Sequence, residues 1–308
     1  MNLTVDIAPQ NKRKLRLKNP LVAASGTVGY GTEYAEMVDI ERFGAIVSKG
    51  TTLEPRDGNP QPRLCETASG LLNSVGLQNI GIDALIEKEA PVWAKWQVPV
   101  LVNIAGDSVE EYAELARRLD GVDGVSGIEV NISCPNVARG GMEFGTDAGD
   151  AGRVTQAVKQ NTSLPVIVKL TPNVTDIAGI ARAAEGAGAD AISLINTLRG
   201  MAIDVGSKRP FLGGATGGLS GPAIKPVALY MVYTVARSVS VPIIGGGGII
   251  SAHDALEFIM AGASAFWVST GVLVDPCSPL DILDGVVDYM KREGIEDIAS
   301  LVGVAQAA

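Results

Sequence analysis

The sequence has few of the residues on which many active sites depend. It contains one histidine, His253, and three cysteines, Cys65, Cys134 and Cys277. The cysteines lack metal-type spacing and cannot all pair, so we expect no metal site and a reduced, cytoplasmic setting. His253 lies at the start of a helical pattern, where a solvated side chain is expected. A mechanism that needs a histidine base therefore has a single, poor candidate.

Positive charge is also scarce. The net charge is −9, and no basic block is longer than residues 11–14. This balance argues against nucleic acid or an anionic membrane as a partner. No apolar run approaches the ~20 residues of a membrane span, and the N-terminus shows no charged-then-apolar signal pattern. With 46% hydrophobic and 19% charged residues, the chain is expected to form a soluble globular protein.

Glycine and short apolar segments are plentiful instead. There are 37 glycines, which implies many tight turns and close backbone approaches. The apolar segments contain few polar residues. This is typical of strands in a parallel sheet, which are buried on both faces. Eight such strands are predicted: Leu21–Ala24, Ala45–Ser48, Val98–Ile104, Gly127–Ile132, Pro165–Leu170, Ala191–Ile195, Val241–Ile244 and Ala265–Ser269.

Helical periodicity separates these strands. The helical patterns cover Ser108–Leu119 and Thr175–Ala187, and roughly 30–42, 83–95, 147–161, 222–238, 252–261 and 279–292. The alternation predicts an α/β fold, a closed (β/α)8 TIM barrel in one domain over residues 1–308. Leu3–Ile7 and Leu15–Leu17 alternate apolar and polar residues and predict a short N-terminal β-hairpin. An open doubly wound sheet is the alternative, weakened because no Gly-x-Gly-x-x-Gly opens the first helix.

The long connections all follow strands. They are Lys49–Ile80, Cys134–Thr146 and Asn196–Gly221, whereas the segments that enter strands are short. In such barrels the chemistry lies in the loops at the carboxyl ends of the strands. We therefore expect long loops at the C-terminal face to carry the function.

Two lysines end buried strands at that face. Lys49 and Lys169 would each be costly to bury without an anion partner, so together they suggest an anionic or electron-rich ligand. The alternative is pairing with a core carboxylate such as Glu129. Asparagines end other strands, and their carboxamides suit a planar, amide-rich ring.

Glycine turns follow the last two strands, at Gly245–Gly248 and Ser269–Gly271. That position is the usual phosphate site of barrels. A phosphorylated, electron-accepting cofactor such as FMN therefore fits, because the cofactor carries the redox step. A non-redox barrel that binds a phosphorylated sugar remains the rival from another class. The sequence shows no acidic pair or Ser/His/Asp set that would indicate a different kind of active site.

Several long motifs resemble one family, the dihydroorotate dehydrogenases, and most closely the FMN-bearing catalytic subunit of class 1B. The central motif is Asn131-Ile-Ser-Cys-Pro-Asn136, and the resemblance covers roughly residues 3–295. The other motifs are Ser48–Leu64, Leu72–Asn79, Ile195–Thr197, Thr216–Pro226 and Gly245–Gly248.

The resemblance implies roles for individual residues. Cys134 would take the proton from C5 of dihydroorotate while the C6 hydride goes to FMN, and Lys169 would stabilise negative charge on the reduced ring. The expected substrate-binding residues are Lys49, Asn73, Ser74, Val75, Gly76, Leu77, Asn131, Asn136, Asn196 and Thr197. The expected FMN contacts are Ser25, Lys49, Gly50, Asn103, Asn131, Lys169, Ile195, Gly221, Gly247, Gly248, Ser269 and Thr270.

The resemblance also implies partners. A homodimer is expected, assembled into a heterotetramer with a subunit that carries FAD and a 2Fe–2S cluster and passes electrons to NAD⁺. This chain has neither a cysteine cluster for iron–sulfur nor a dinucleotide fingerprint. A fumarate-using class 1A enzyme or a dihydropyrimidine dehydrogenase-like flavoprotein is the alternative within the resemblance.

Three positions depart from the family pattern. Ser269 stands where glycine is common, Gly246 where methionine is frequent, and Trp267 where the residue is smaller or polar. The extra side chain of Ser269 makes that phosphate contact less secure, and Gly246 predicts a looser loop. Trp267 is expected to pack outward against the helices.

Overall fold

A closed barrel of parallel strands forms the centre of the molecule. The computed structural model describes residues 1–133, 135–136 and 142–307. Within that part, eight strands close the barrel in chain order. They are Leu21–Ala23, Ala45–Val47, Val100–Ile104, Gly127–Asn131, Val166–Lys169, Ala191–Leu194, Ile243–Gly245 and Ala265–Val268. The predicted (β/α)8 barrel is confirmed, and each strand ends within two residues of its predicted bounds.

Strand register sets the polar residues at common heights. Lys169 pairs with Asn131 on one side and with Ser193 on the other. Asn103 pairs with Glu129 in the same way. Because side chains alternate along a strand, residues paired across parallel strands point to the same face of the sheet. The register therefore points these side chains to the same face of the sheet, near the carboxyl ends of the strands.

The outer layer consists of helices, four of which have side-chain N-caps. The longer helices are Val109–Leu119, Ala148–Gln160, Ile177–Gly186, Lys225–Ala236, Ala252–Ala261 and Ser278–Glu293. Shorter helical segments are Gly81–Ala84, Leu85–Glu89, Ala90–Trp93 and Thr270–Val274. Ser108, Asp147, Asp176 and Ser251 each accept a hydrogen bond from the amide three residues ahead. These caps satisfy amides that the first turn leaves free, and they fix where the helices begin.

The helix predicted over 30–42 is wrong. The structure has two 3₁₀ turns there, Tyr34–Glu36 and Ile40–Arg42. Asp39 has an extended backbone between them, and its side chain accepts the Glu41 amide. This local bond begins a new turn instead of continuing the first, as short acidic side chains often do.

A small antiparallel sheet covers part of the barrel mouth. Its strands are Leu64–Thr67, Gly70–Asn73, Gly217–Ser220 and Leu198–Gly200, in that spatial order. Two of the segments predicted as long loops therefore contribute strands to this sheet. The predicted N-terminal hairpin is present, with Val5–Asp6 against Arg16–Leu17. A second hairpin pairs Ile203–Asp204 with Arg209–Pro210.

The core lies between the barrel and the helices. Tyr112 and Phe144 are buried there and pack edge to face, with ring centroids 5.6 Å apart. The Tyr112 hydroxyl donates to the Asn131 carbonyl at 2.6 Å, which ties a helix to the end of the fourth barrel strand. In the described ranges, no helix combines the length and apolar character that a membrane crossing requires.

Candidate active site

The carboxyl ends of the strands surround a cavity of about 760 Å³. This volume lies within the range usual for small-molecule and cofactor sites. Nearly all the residues predicted from the sequence line it: Ser25, Lys49, Gly50, Asn73, Ser74, Val75, Gly76, Leu77, Asn103, Asn131, Lys169, Ile195, Asn196, Thr197, Gly221, Gly247, Gly248, Ser269 and Thr270. Cys134 lies outside the described residues, as does the side chain of Asn136. The roles assigned to all these residues stay predictions.

Lys169 is a buried cation in the cavity floor. Its Nζ lies 3.7 Å from Glu129 Oε2 and donates to Ser25 Oγ at 3.1 Å. The Glu129 carboxylate also accepts hydrogen bonds from Asn103 Nδ2 at 2.6 Å and Ser193 Oγ at 3.0 Å. The alternative of pairing with Glu129 therefore holds for Lys169, yet the ammonium still lines the cavity. At 3.7 Å the two groups are not in close contact. The Glu129 carboxylate therefore offsets only part of the attraction that the Lys169 ammonium can exert on a ligand.

Lys49 has no such partner. Within the described residues, its ammonium makes no ion pair or hydrogen bond with another side chain. Burial lowers the pKa of Lys49 below the ordinary lysine value, because the charged form loses solvation. A cavity that holds an uncompensated cation is suited to an anion.

The strand-end asparagines form a polar wall. Asn196 Nδ2 donates to Ser133 Oγ at 2.9 Å and to Asn131 Oδ1 at 3.3 Å. Asn73 Nδ2 donates to the Gly218 carbonyl at 3.2 Å. These bonds fix the carboxamide planes in place while leaving each group further acceptor or donor capacity. The carboxamides can therefore form hydrogen bonds with the edge of a planar, amide-containing molecule.

The glycine turns expose backbone amides to the cavity. Gly221, Gly247 and Gly248 have φ of +89°, +136° and +83°, which side chains rarely adopt. Within the described residues, the amides of Gly247 and Gly248 donate to no other protein group. Gly247 is nevertheless buried, and buried amides normally have partners. Free amides in a glycine turn fit the oxygens of a phosphate group.

Trp267 points into the cavity, so the prediction that it packs outward against the helices is wrong. Its ring lines the cavity, and Lys169 Nζ lies 5.0 Å from the ring centroid. The indole fits because position 246 is glycine. A Cβ on Gly246 would lie 2.5 Å from Trp267 Cδ2. The sequence shows both unusual residues, but only the structure shows that one makes room for the other.

Sequence reasoning also missed charged residues at the rim. Glu143 binds Arg199 Nη2 at 2.5 Å and accepts from Thr171 Oγ1 at 3.2 Å. Arg56 binds Asp107 at 2.7 Å. Glu143, Thr171, Arg199 and Arg56 all line the cavity. Each pair joins segments that are distant in the chain, so no local sequence pattern predicts it.

His253 lies away from the cavity. Its side chain is 81% exposed, and Nε2 lies 3.8 Å from Glu257 Oε1 on the same helix. The prediction of a solvated surface histidine is confirmed. No role in the site follows from its position.

A closed barrel whose mouth holds a polar cavity lined by buried lysines is typical of the class of TIM-barrel enzymes. Comparison with known proteins gives the family. The family model described as dihydroorotate dehydrogenase matches residues 8–290, and the chain belongs to this family of oxidoreductases.

Close relatives cover almost the whole chain. A protein of Desulforamulus reducens is 58% identical over 305 residues, 99% of each chain. A protein of a Geobacter species is 54% identical over 95% of this chain and 96% of its own. A protein of a Thermoanaerobacter species is 52% identical over 98% of each. All three are named dihydroorotate dehydrogenase B (NAD(+)), catalytic subunit.

Proposed function

We propose that this chain oxidises (S)-dihydroorotate to orotate in pyrimidine biosynthesis, as the FMN-containing catalytic subunit of a class 1B dihydroorotate dehydrogenase. The observation that carries the proposal is the convergence of Lys49, Lys169 and the carboxamide wall on one cavity. Family membership and the printed names of the relatives support the same reaction.

The residues present suit FMN. The amides of Gly247 and Gly248 would hold the phosphate, and Asn103, whose Nδ2 is committed to Glu129, keeps its Oδ1 for the ring. Lys169 would place positive charge where negative charge gathers as the ring is reduced. When bound, FMN supplies the acceptor for the substrate's hydride.

The chain's own groups would bind the substrate and move its proton. The Lys49 ammonium pairs with the orotate carboxylate, and Asn73, Asn131 and Asn196 hold the amide edge of the ring. The Cys134 thiolate takes the proton from C5 as the hydride leaves C6, so that the C5–C6 double bond forms. A thiol is ordinarily mostly protonated at neutral pH, so neighbouring donors must favour the thiolate.

The acceptor and the assembly follow from the relatives' names and the family resemblance. The words "catalytic subunit" imply a partner, which we propose carries FAD and a 2Fe–2S cluster and reduces NAD⁺. A homodimer of this single-domain chain, within a cytoplasmic heterotetramer, completes the proposal. Assay of the purified chain with dihydroorotate tests it against class 1A. Reduction of fumarate by the chain alone would contradict the assignment, whereas NAD⁺ reduction only with the partner supports it.

Lys49 gives orotate binding a pH dependence. Because burial lowers the Lys49 pKa, the ammonium is lost at a lower pH than in an ordinary lysine. Orotate affinity should therefore fall as the pH rises through that lowered pKa. Titration of flavin absorbance with orotate measures the affinity. Lys49→Met should weaken binding by about 2–5 kcal/mol at pH values below that pKa, the usual cost of removing one member of a buried charge pair. The difference from the wild type should shrink at higher pH, where wild-type Lys49 is itself neutral.

Lys49→Arg is the matched control, since a guanidinium stays protonated over the accessible range. In that variant, whatever affinity remains should no longer decline at alkaline pH. An equally steep decline in Lys49→Arg would assign the titration to another group.

The phosphate turn can be tested with one methyl group. In Gly248→Ala, the new Cβ would lie 2.7 Å from the Gly221 carbonyl oxygen at a φ of +83°. We expect this variant to lose FMN during gel filtration. Gly121→Ala is the control, because Gly121 has a φ of +81° with nothing within 4 Å of its Cβ position. It carries the same backbone strain, about 1–2 kcal/mol, and should keep its FMN.

A further inference from the structure

Trp267 carries a buried polar group without a partner. The residue is 8% exposed, and within the described residues its Nε1 makes no hydrogen bond. A buried donor left unpaired destabilises a fold, and indole N–H groups usually find partners when buried. A phenylalanine would fill much of the same space without that cost. The indole therefore has to be explained by something other than stability.

The face of the indole meets the ammonium of Lys169. The Nζ lies 5.0 Å from the ring centroid, within the range of a cation–π interaction, for which tryptophan is the best aromatic partner. The same Nζ lies 3.7 Å from Glu129 Oε2 and 3.1 Å from Ser25 Oγ. The ammonium thus interacts with a ring, a carboxylate and a hydroxyl, and at 3.7 Å it is not in close contact with the carboxylate.

The indole ring of Trp267 occupies space that a side chain at position 246 would otherwise fill. A Cβ on Gly246 would lie 2.5 Å from Trp267 Cδ2, 2.6 Å from Cε2 and 2.7 Å from the Trp267 carbonyl oxygen. Gly246 is not among the glycines with positive φ, unlike Gly247 and Gly248 beside it. Glycine is thus needed at position 246 because a larger residue would clash with the Trp267 ring, and not because the backbone is left-handed there.

We propose that Trp267 is a positioning residue for Lys169. The indole ring and the Glu129 carboxylate both attract the ammonium, so the ring offsets part of the attraction toward the carboxylate and the charge stays at the cavity floor. There it acts on the bound flavin. This inference rests on the proposed function, since it assumes a flavin in the cavity.

Without the Trp267 ring, the Lys169 ammonium should move into closer contact with the Glu129 carboxylate. The carboxylate would then neutralise more of its charge, and the cavity would favour the reduced flavin less. A cation–π contact of this kind corresponds to an equilibrium change on the order of tenfold. For a two-electron couple, a tenfold change is a fall of about 30 mV in the midpoint potential.

The experiment measures the midpoint potential of bound flavin in the wild type, Trp267→Leu and Trp267→Phe. We expect a fall of about 30 mV in Trp267→Leu and less than half of that in Trp267→Phe, which keeps an aromatic face. Trp267→Phe also loses the unpaired N–H, so its urea midpoint should equal or exceed that of the wild type. If Trp267→Leu does not retain flavin, Trp267→Met replaces it, because methionine fills irregular spaces well.

A double-mutant cycle separates positioning from a direct effect of the ring. In a Lys169→Met background, adding Trp267→Leu should leave the potential unchanged, because the residue it positions is gone. An equal shift in both backgrounds would overturn the proposal, as would an unshifted potential in Trp267→Leu alone. A wild-type protein that binds no flavin would overturn the proposed function and this inference with it. A wild-type flavoprotein with either contrary result would overturn the inference alone.

Discussion

Replacing Cys134 by alanine is expected to stop the reduction of the flavin by dihydroorotate near neutral pH while the flavin stays bound. Without a base at C5 the proton cannot leave with the hydride, and general-base catalysis contributes about 100- to 10,000-fold. Anaerobic stopped-flow absorbance of the Cys134→Ala protein measures the loss. Orotate should still bind, because Lys49 and the carboxamide wall are untouched.

Cys134→Ser is the matched control. Serine differs from cysteine in one atom, and its smaller hydroxyl gives up its proton far less readily than a thiol. Flavin reduction in this variant should be slow at neutral pH and should recover in part as the pH is raised. Undiminished reduction in Cys134→Ala would show that another group is the base.

Replacing Lys169 by methionine is expected to slow flavin reduction about 100- to 1,000-fold, the usual effect of removing one preorganised electrostatic group. The ammonium lies in the cavity floor, and no other described cation shares its bonds to Ser25 and Glu129. The measurements are the rate of flavin reduction and the midpoint potential, both of which should fall.

Folding has to be separated from chemistry in this variant. Lys169→Met leaves the buried Glu129 carboxylate without its cation, and breaking a buried pair typically costs about 3–5 kcal/mol. The double variant Lys169→Met with Glu129→Gln removes both charges, so its stability should recover while its flavin reduction stays slow. Recovery of the rate together with the stability would remove Lys169 from the redox centre and leave it a purely structural role.

The strand ends could be predicted from the sequence because their causes are local. Apolar segments buried on both faces indicate strands of a parallel sheet, and in a barrel the polar residue that ends each one lies at the mouth. Lys49, Asn103, Asn131 and Lys169 follow from this rule, and the structure brings them to one cavity. The rule states where a residue lies and leaves open whether it binds substrate, cofactor or another side chain.

Features that depend on distant segments could not be predicted. The sheet over the mouth joins Gly70–Asn73 to Gly217–Ser220, which lie far apart in the chain. Glu143 meets Arg199 in the same way. The sequence alone predicts Trp267 on the outer face, because nothing in its own strand shows that Gly246 leaves room for an inward ring. Packing between strands decides such orientations.

The absorbance spectrum of the purified chain, recorded before and after anaerobic addition of dihydroorotate, tests the central claim most directly. The account predicts a yellow protein whose flavin bands bleach on addition, with one orotate formed for each flavin reduced. A colourless protein, or a yellow one that dihydroorotate does not bleach, would contradict it.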